Sequence, residues 1–454
     1  MKERRKNMPD WKRRIKKYEA EYLEDLKRLV AIGSVRDLQT AKDGAPFGEA
    51  IREAFDSFLQ IAEKCGFERE DCDGYACHAQ IGNTREYIGV LGHLDVVEIE
   101  KPDEWKTDPF TMVQDGDMLY GRGVNDDKGP LLAALYAARI IRGMGLPLKR
   151  SIRVIAGGAE ETTWECMEHY FTRHEQPVMG FSPDGNFPIV NGEKGIVKFE
   201  LIFPTAEKNL NGEYEIQKFI CGTAENYVCG DLELQFRYRG RDETMNWHAQ
   251  KRALSRNPQR GENVLWELAK YLQGKSLVQP EVEQMVHFLN ECLTGDFYGK
   301  KSGLYSEDAQ MGTTSVCPTG VRVHETGVSL YLDIRYPKST EEQELQQKLE
   351  KLGDQYGFTV NRYAGKRLLY VPEDSELICA LKQAYQEVTG EEAFTFTKGG
   401  ASYARTLDQG VAFGATFEGE ETHPHMPNEC MSLTSVERAM EIYCAALWRL
   451  AVEC

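Results

Sequence analysis

The sequence predicts an α/β domain interrupted by a large inserted α+β domain. Three observations lead there. The chain has 454 residues, too many for one ordinary core. Strand and helix patterns alternate up to about residue 193 and then change texture. A helix–strand–helix pattern resumes near residue 373, as if to complete the first domain. The expected division is 1–193 with 373–454, and 194–372 as the insertion, entering at an exposed loop.

In chain order, Pro9 to Ile32 carries apolar residues at helical spacing, and Phe47 to Cys65 reads as a second helix ended by Gly66. Strands are expected at Tyr75–Ile81 and Tyr87–Leu91. Residues 98–120 read as a loop packed by its own aromatics, Trp105 and Phe110. Gly129–Gly145 and Thr163–His174 read as helices around a strand at Ile152–Ala156. In the insertion, strand patterns at Val197–Phe203, Leu232–Tyr238, Val328–Asp333 and Phe358–Tyr363 mix with helical ones at Glu262–Leu272, Pro280–Leu293 and Glu341–Leu352. A helix Ser375–Val388 with Asp374 as N-cap, a strand Val411–Phe417 and a helix Ser432–Val452 close the chain.

Composition excludes several classes. The formal net charge of −17 argues against a nucleic-acid partner, which needs a concentrated basic face. No apolar run reaches the roughly 18–20 residues that span a bilayer. The N-terminal run is basic with no apolar region behind it, so no secretory signal is read and a cytoplasmic location is expected. The twelve cysteines include no Cys-x-x-Cys pair, and free thiols are expected.

Five stretches carry possible chemistry. Gly92-His-Leu-Asp95 follows the β-branched run from Tyr87, with an imidazole and a carboxylate two residues apart. A metal-ligating imidazole needs its other N–H held, usually by a carboxylate, although a satisfied core histidine is the commoner fate of such a residue. Gly121-Arg-Gly-Val-Asn-Asp-Asp-Lys-Gly129 sets two aspartates before a helix, where plain capping is the competing reading. Glu160 and Glu161 follow the strand ending near Ala156, in a loop where both can converge on one site. Asp184 sits in Phe181-Ser-Pro-Asp-Gly185, otherwise an ordinary turn. His423 and His425, two of only nine histidines, share a Pro-containing loop.

Each stretch is weak alone, but their placement beside strand ends is where open α/β sheets bind ligands. Charge supports metal there. Two divalent ions would balance Asp126, Glu161, Asp184 and one hydroxide, whereas bare carboxylates would repel at low dielectric.

In family order, Gly92-His-Leu-Asp-Val-Val97, Trp105-Lys-Thr-Asp-Pro-Phe110, Leu119 to Pro130, Ala159-Glu-Glu161, Ser182-Pro-Asp-Gly185 with Asn191-Gly-Glu-Lys-Gly195, and His425-Met-Pro-Asn-Glu429 resemble the M20 (clan MH) metallopeptidases. The resemblance is strongest to the peptidase V-like and carnosinase-like dipeptidases. It implies a zinc-exopeptidase-like domain with a central mixed sheet flanked by helices, and an inserted lid. It also implies two divalent metal ions, zinc first and manganese or cobalt as alternatives. His93, Asp126 and Asp184 would hold one ion, and Asp126, Glu161 and His425 the other, with Asp126 shared. Asp95 would orient His93. Glu160 would be the general base for hydrolysis of dipeptides, or similarly short peptides, by a hydroxide bridging the metals.

The resemblance further implies that His248, in Trp247-His-Ala249, stabilises the oxyanion, although about six extra residues within Gln250–Asn257 depart from the family pattern. Arg335, in Asp333-Ile-Arg-Tyr-Pro337, would bind the substrate carboxylate; without the resemblance it reads as a strand-edge surface arginine. Asn226, in Gly222-Thr-Ala-Glu-Asn226, would touch substrate. So would Gly400 and Ser402, in a loop where Ala401 replaces the usual third glycine. A small peptide substrate and a monomer are expected. Other amide hydrolases of this scaffold (aminoacylase, carbamoylase, desuccinylase) remain open, as does a non-catalytic peptide-binding descendant, against which Glu160 and the five ligand positions weigh.

Overall fold

The computed structural model describes residues 9–221 and 226–453; Gly222 to Glu225 of the expected substrate segment lie outside the described residues. The chain divides into two compact units. One comprises the chain up to Asn191, Leu369–Phe396 and the chain from Ser402 onward; the other comprises Gly192–Leu368 and Thr397–Ala401.

A nine-stranded mixed sheet with helices packed against it forms the core of the first unit. Along it the strands run Glu68–Cys72, Ala76–Ile81, Ser151–Gly157, Tyr87–His93, Met179–Ser182, Gly410–Ala412, Ile189–Glu193 and Leu369–Tyr370, and the ninth, Thr395–Lys398, pairs with Ile189–Glu193 off this path. Three central neighbours, Ser151–Gly157, Tyr87–His93 and Met179–Ser182, are parallel. Their loops therefore leave from one edge of the sheet. Every residue of Tyr87–His93 is buried, which explains its continuous apolar, β-branched composition. The helix Lys128–Arg142 is buried along almost its whole length, and the helix Leu433–Trp448 packs on it with Val436, Ala439, Met440 and Tyr443 buried.

Several expectations change in detail. The N-terminal helix is two, Trp11–Ile15 and Glu19–Val30, the first capped by the Asp10 carboxylate. The cap of Glu376–Thr389 is Ser375, whose hydroxyl accepts the Ile378 N–H, and not Asp374. Of the strand expected at Val411–Phe417, only Gly410–Ala412 forms. Within 98–120, Val113–Asp115 and Met118–Tyr120 make a hairpin that pairs with Cys430–Ser432. The aromatics there pack outward: Trp105 lies against the Arg122 guanidinium, and Phe110 fills the space beside Gly33.

In the second unit, Gly195–Pro204 and Gly327–Tyr336 are central strands of an antiparallel four-stranded sheet, flanked by Thr359–Lys366 and Ser315–His324. Tyr214–Cys221, Asp231–Tyr238 and Arg241–His248 form a second, three-stranded sheet. Phe199, Leu201, Phe203, Leu330 and Leu332 bury their side chains with Leu268, Met285 and Phe288 from the helices. Two of the strands without a sequence signal have physical reasons for it. Glu68–Cys72 is an edge strand made of charged residues, and Ser315–His324 carries Pro318 where the register shifts. Every described cysteine is free, and no helix among the described residues is long and apolar enough to cross a membrane.

Candidate active site

The strand Tyr87–His93 ends on His93, which pairs in register with Gly157, the last residue of its parallel neighbour. Asp95 therefore lies beyond the strand, and strand alternation does not bring it to His93. The turn does: Leu94 N–H bonds to Gly157 O, and His93 Nδ1 stands 2.9 Å from the carbonyl oxygen of Asp95 and 3.5 Å from its carboxylate. That carboxylate accepts the backbone N–H of Glu160 at 3.1 Å and of Glu161 at 3.0 Å. One buried aspartate thus ties the histidine loop to the glutamate loop.

The neighbouring glycine has a steric reason. A Cβ on Gly92 would stand 2.1 Å from Asp127 Oδ2, the oxygen that accepts the His93 N–H. Asp127 occupies the N-cap position of Lys128–Arg142 but makes no side-chain cap bond. Burial, and then the charge of Asp184, raise its pKa well above the usual range.

Asp126 is positioned from the far end of the chain. Glu429 is fully buried, and its Oε1 accepts the N–H groups of Gly123, Asn125 and Asp126 at 3.0–3.1 Å. Its Oε2 takes a bond from Arg122 Nη1 at 2.8 Å. These charge-assisted bonds fix the loop and leave the Asp126 carboxylate facing two imidazoles. Oδ1 is 3.0 Å from His93 Nε2, and Oδ2 is 3.0 Å from His425 Nε2. His425 Nε2 is also 3.0 Å from Glu161 Oε1, and Asp184 Oδ2 stands 4.0 Å from His93 Nε2. It is His425, with a left-handed backbone at φ 61°, and not His423, whose ring enters the cluster.

Electrostatics tests whether these donors suit a cation. Burial would raise Asp126, but the hydrogen bonds from His425 and His93 outweigh it and hold the carboxyl well below its usual range. Burial would lower His93, yet the bonds to Asp126 and Asp95 raise it. Hydrogen bonds to Asp126 and Glu161 push His425 up to about 11, while burial and the Asp126 charge push Glu161 up to about 7. The buried carboxylates draw protons onto both imidazoles because positive charge is what the cluster lacks. A divalent ion answers that demand with the same atoms, and His93, Asp126 and Glu161 present theirs within 4.8 Å of one another. The donor set fits.

Glu160 is half-buried beside Glu161, its carbonyl accepting Trp164 Nε1–H at 2.6 Å. Ser402 is buried just before the short helix Tyr403–Thr406. In the second unit, His248 ends an edge strand with its ring largely in solvent, and its Nδ1 is 2.9 Å from Asp231 Oδ1. Arg335 is not a surface arginine. It lies buried on a central strand, with Nε and Nη2 on the Asp333 carboxylate at 2.7 and 2.9 Å and Nη1 3.4 Å from Gly399 O. Asn226 is exposed, its carbonyl accepting the Ser255 N–H. Ser255 belongs to the extra stretch Gln250–Asn257 and bonds Asp333 Oδ2 at 2.8 Å, so that stretch docks on Asn226 and Asp333. Arg256 of the same stretch approaches Gly400.

Sequence reasoning passed over Glu429, Arg122, Asp127 and Tyr403. Tyr403 packs edge-on to His93 with ring centroids 6.0 Å apart, and a Cβ on Gly157 would meet its hydroxyl. Glu429 had a signal, since it lies within the histidine motif; Tyr403 had none.

A mixed sheet whose parallel strands end at a buried cluster of histidine and carboxylate donors has the architecture of a metallohydrolase. Residues 89–449 match the peptidase family M20/M25/M40, and the chain belongs to that family of metallopeptidases. It is 33% identical to a dipeptidase-named protein of Staphylococcus haemolyticus, over 98% of this chain and all of that one. Among solved structures it resembles an M20 family metallo-carboxypeptidase of Sulfolobus solfataricus, with TM-score 0.59 and 18% identity over 94% of this chain and 98% of that one. It also resembles human carnosine dipeptidase 1, with TM-score 0.55 and 16% identity over 96% and 98%. At such identities the structural likenesses speak to the fold.

Proposed function

We propose that the protein is a di-metal dipeptidase, cleaving the amide of dipeptides or similarly short peptides that carry a free C-terminal carboxylate. The observation that carries this reading is the Asp126 carboxylate, whose two oxygens each face a different imidazole at 3.0 Å. One carboxylate shared in this way suits a pair of ions, with His93 and Asp184 on one side and Glu161 and His425 on the other. When bound, such ions polarise the scissile carbonyl and acidify water to a pKa of about 7. The side chains suit zinc, manganese or cobalt.

The chain's own groups do the rest. Glu160 accepts the proton of the attacking water and returns it to the leaving amine nitrogen. Asp95 keeps Glu160 and Glu161 in place through their backbone N–H groups. His248, its Nδ1–H donated to Asp231, would act as an imidazolium whose Nε2–H donates to the developing oxyanion. Arg335, braced at Nε and Nη2 by Asp333, presents Nη1, which also reaches the Gly399 carbonyl at 3.4 Å, to the substrate carboxylate. The second unit acts as lid and selector, and the enzyme works as a single chain.

Chelator treatment with metal add-back tests the reading on an unmodified dipeptide. Hydrolysis should vanish on stripping and return with zinc, manganese or cobalt. Turnover that survives complete removal of metal would refute it.

A further inference from the structure

A second group of ligating side chains lies at the antiparallel edge of the first unit's sheet, on strands that contribute nothing to the cluster around Asp126. Glu70, on Glu68–Cys72, and His78, on Ala76–Ile81, are register partners, so their side chains share one face. His174 follows the helix Glu165–Arg173 and closes its last turn through the Tyr170 carbonyl. One ligand atom from each of the three lies within 4.8 Å of the other two.

One separation matches a metal shell and the other lies a few tenths of an ångström beyond it. His174 Nε2 is 3.4 Å from Glu70 Oε1, and His78 Nε2 is 3.9 Å from Glu70 Oε2. Two ligands bonded to zinc at tetrahedral angles stand about 3.3–3.5 Å apart. His174 Nε2 is, moreover, buried with no hydrogen-bond partner, the Glu70 carboxylate being its near but unbonded neighbour. We propose that Glu70, His78 and His174 form a separate metal site that takes a zinc-type divalent cation through two imidazole nitrogens and one carboxylate, with water completing the shell.

An ordinary histidine–glutamate ion pair is the competing explanation, and it needs a charged imidazole. The geometry does not make such a pair: neither His78 Nε2, at 3.9 Å, nor His174 Nε2 hydrogen-bonds the Glu70 carboxylate. The neutral ring is the form that ligates. The His78 ring is already oriented, because its Nδ1 is 3.1 Å from the Tyr170 hydroxyl, which is in turn 3.2 Å from Arg153 Nη1. The Arg153 charge also sets the strength. One carboxylate beside one guanidinium makes a weaker site than the carboxylate-rich cluster. An ion there would clamp the helix Glu165–Arg173 to the edge strands. Because none of its three ligands belongs to the cluster around Asp126, its readout is stability and not chemistry.

The test compares the wild type with Glu70→Gln/His174→Gln by equilibrium dialysis against micromolar free zinc, with metal analysis and thermal unfolding. The wild type should hold one more zinc ion per chain than the variant and gain more Tm from zinc, while kcat at saturating metal stays the same in both. Equal zinc content and equal zinc-dependent Tm would overturn the proposal. Should the double variant not fold, Glu70→Gln alone serves, since its side chain is half exposed. It should weaken the additional zinc by roughly tenfold or more, and unchanged zinc binding would overturn the proposal equally. The comparison subtracts the ions around Asp126, so its outcome is independent of the proposed peptidase mechanism.

Discussion

The residues around Asp126 and those offered by the second unit are held in opposite ways. His93, Asp126, Glu161 and Asp95 are buried or nearly so, and the groups that fix them (Asp127, Arg122, Glu429) are fully or almost fully buried as well, while His425 reaches in from an exposed loop. His248 stands at the end of an edge strand with its ring in solvent, and Asn226 is exposed. Even Arg335, though buried, spends two of its nitrogens on Asp333. The lesson concerns preorganisation. A cluster of like charges needs a rigid, fully bonded surround to exist at all. Groups that meet a substrate must keep a free edge and can sit where the backbone is accessible.

Substitutions that separate these two modes put the contrast at risk. The largest effect is expected at Glu160. Glu160→Ala should cut kcat by roughly 10²–10⁴ while the metal content around Asp126 is unchanged, as steady-state kinetics with metal analysis would reveal. Retained turnover would remove its role as base. Next is Glu429→Gln, which leaves Arg122 buried without its charge partner and should cost about 3–5 kcal/mol of stability by denaturant unfolding. A neutral outcome would mean that the Asp126 loop does not depend on Glu429. In the second unit, His248→Ala should lower kcat by roughly 10²–10³ with no loss of metal; a variant that instead lost metal would contradict a role on the substrate side. The smallest effect is Arg335→Lys, which forfeits the bidentate pair of hydrogen bonds to Asp333. It should raise KM about tenfold, in keeping with roughly 1.5–3 kcal/mol for a charged hydrogen bond, and change kcat less.

How much of this could be read from the chain follows the same contrast. His93, Asp126, Glu161, Asp184 and His425 stand in short motifs beside strand ends, where residue type and position coincide. Glu429 was visible inside its motif, but its partners, from Gly123 to Asp126, lie some 300 residues away and only folding brings them near. The two-residue spacing of His93 and Asp95 reads as one face of a single strand, but that strand stops at His93, so the hold of Asp95 on the Glu160–Glu161 backbone stayed hidden. The engagement of Arg335 by Asp333 had a local sign, since residues two apart on a strand share a face. The edge strand Glu68–Cys72 escaped notice because its charged residues hide any period, and with it went the convergence of Glu70, His78 and His174.

The central claim is that a metal cluster in one unit cleaves peptides selected by a carboxylate-binding second unit. The most direct measurement is kcat/KM across matched dipeptides with free and N-acylated amino termini, each with a free or amidated carboxyl end, in metal-loaded enzyme. The account predicts that fully unblocked dipeptides are the best substrates and that amidating the carboxyl end raises KM. Preference for N-acylated compounds, or indifference to the carboxylate, would contradict it.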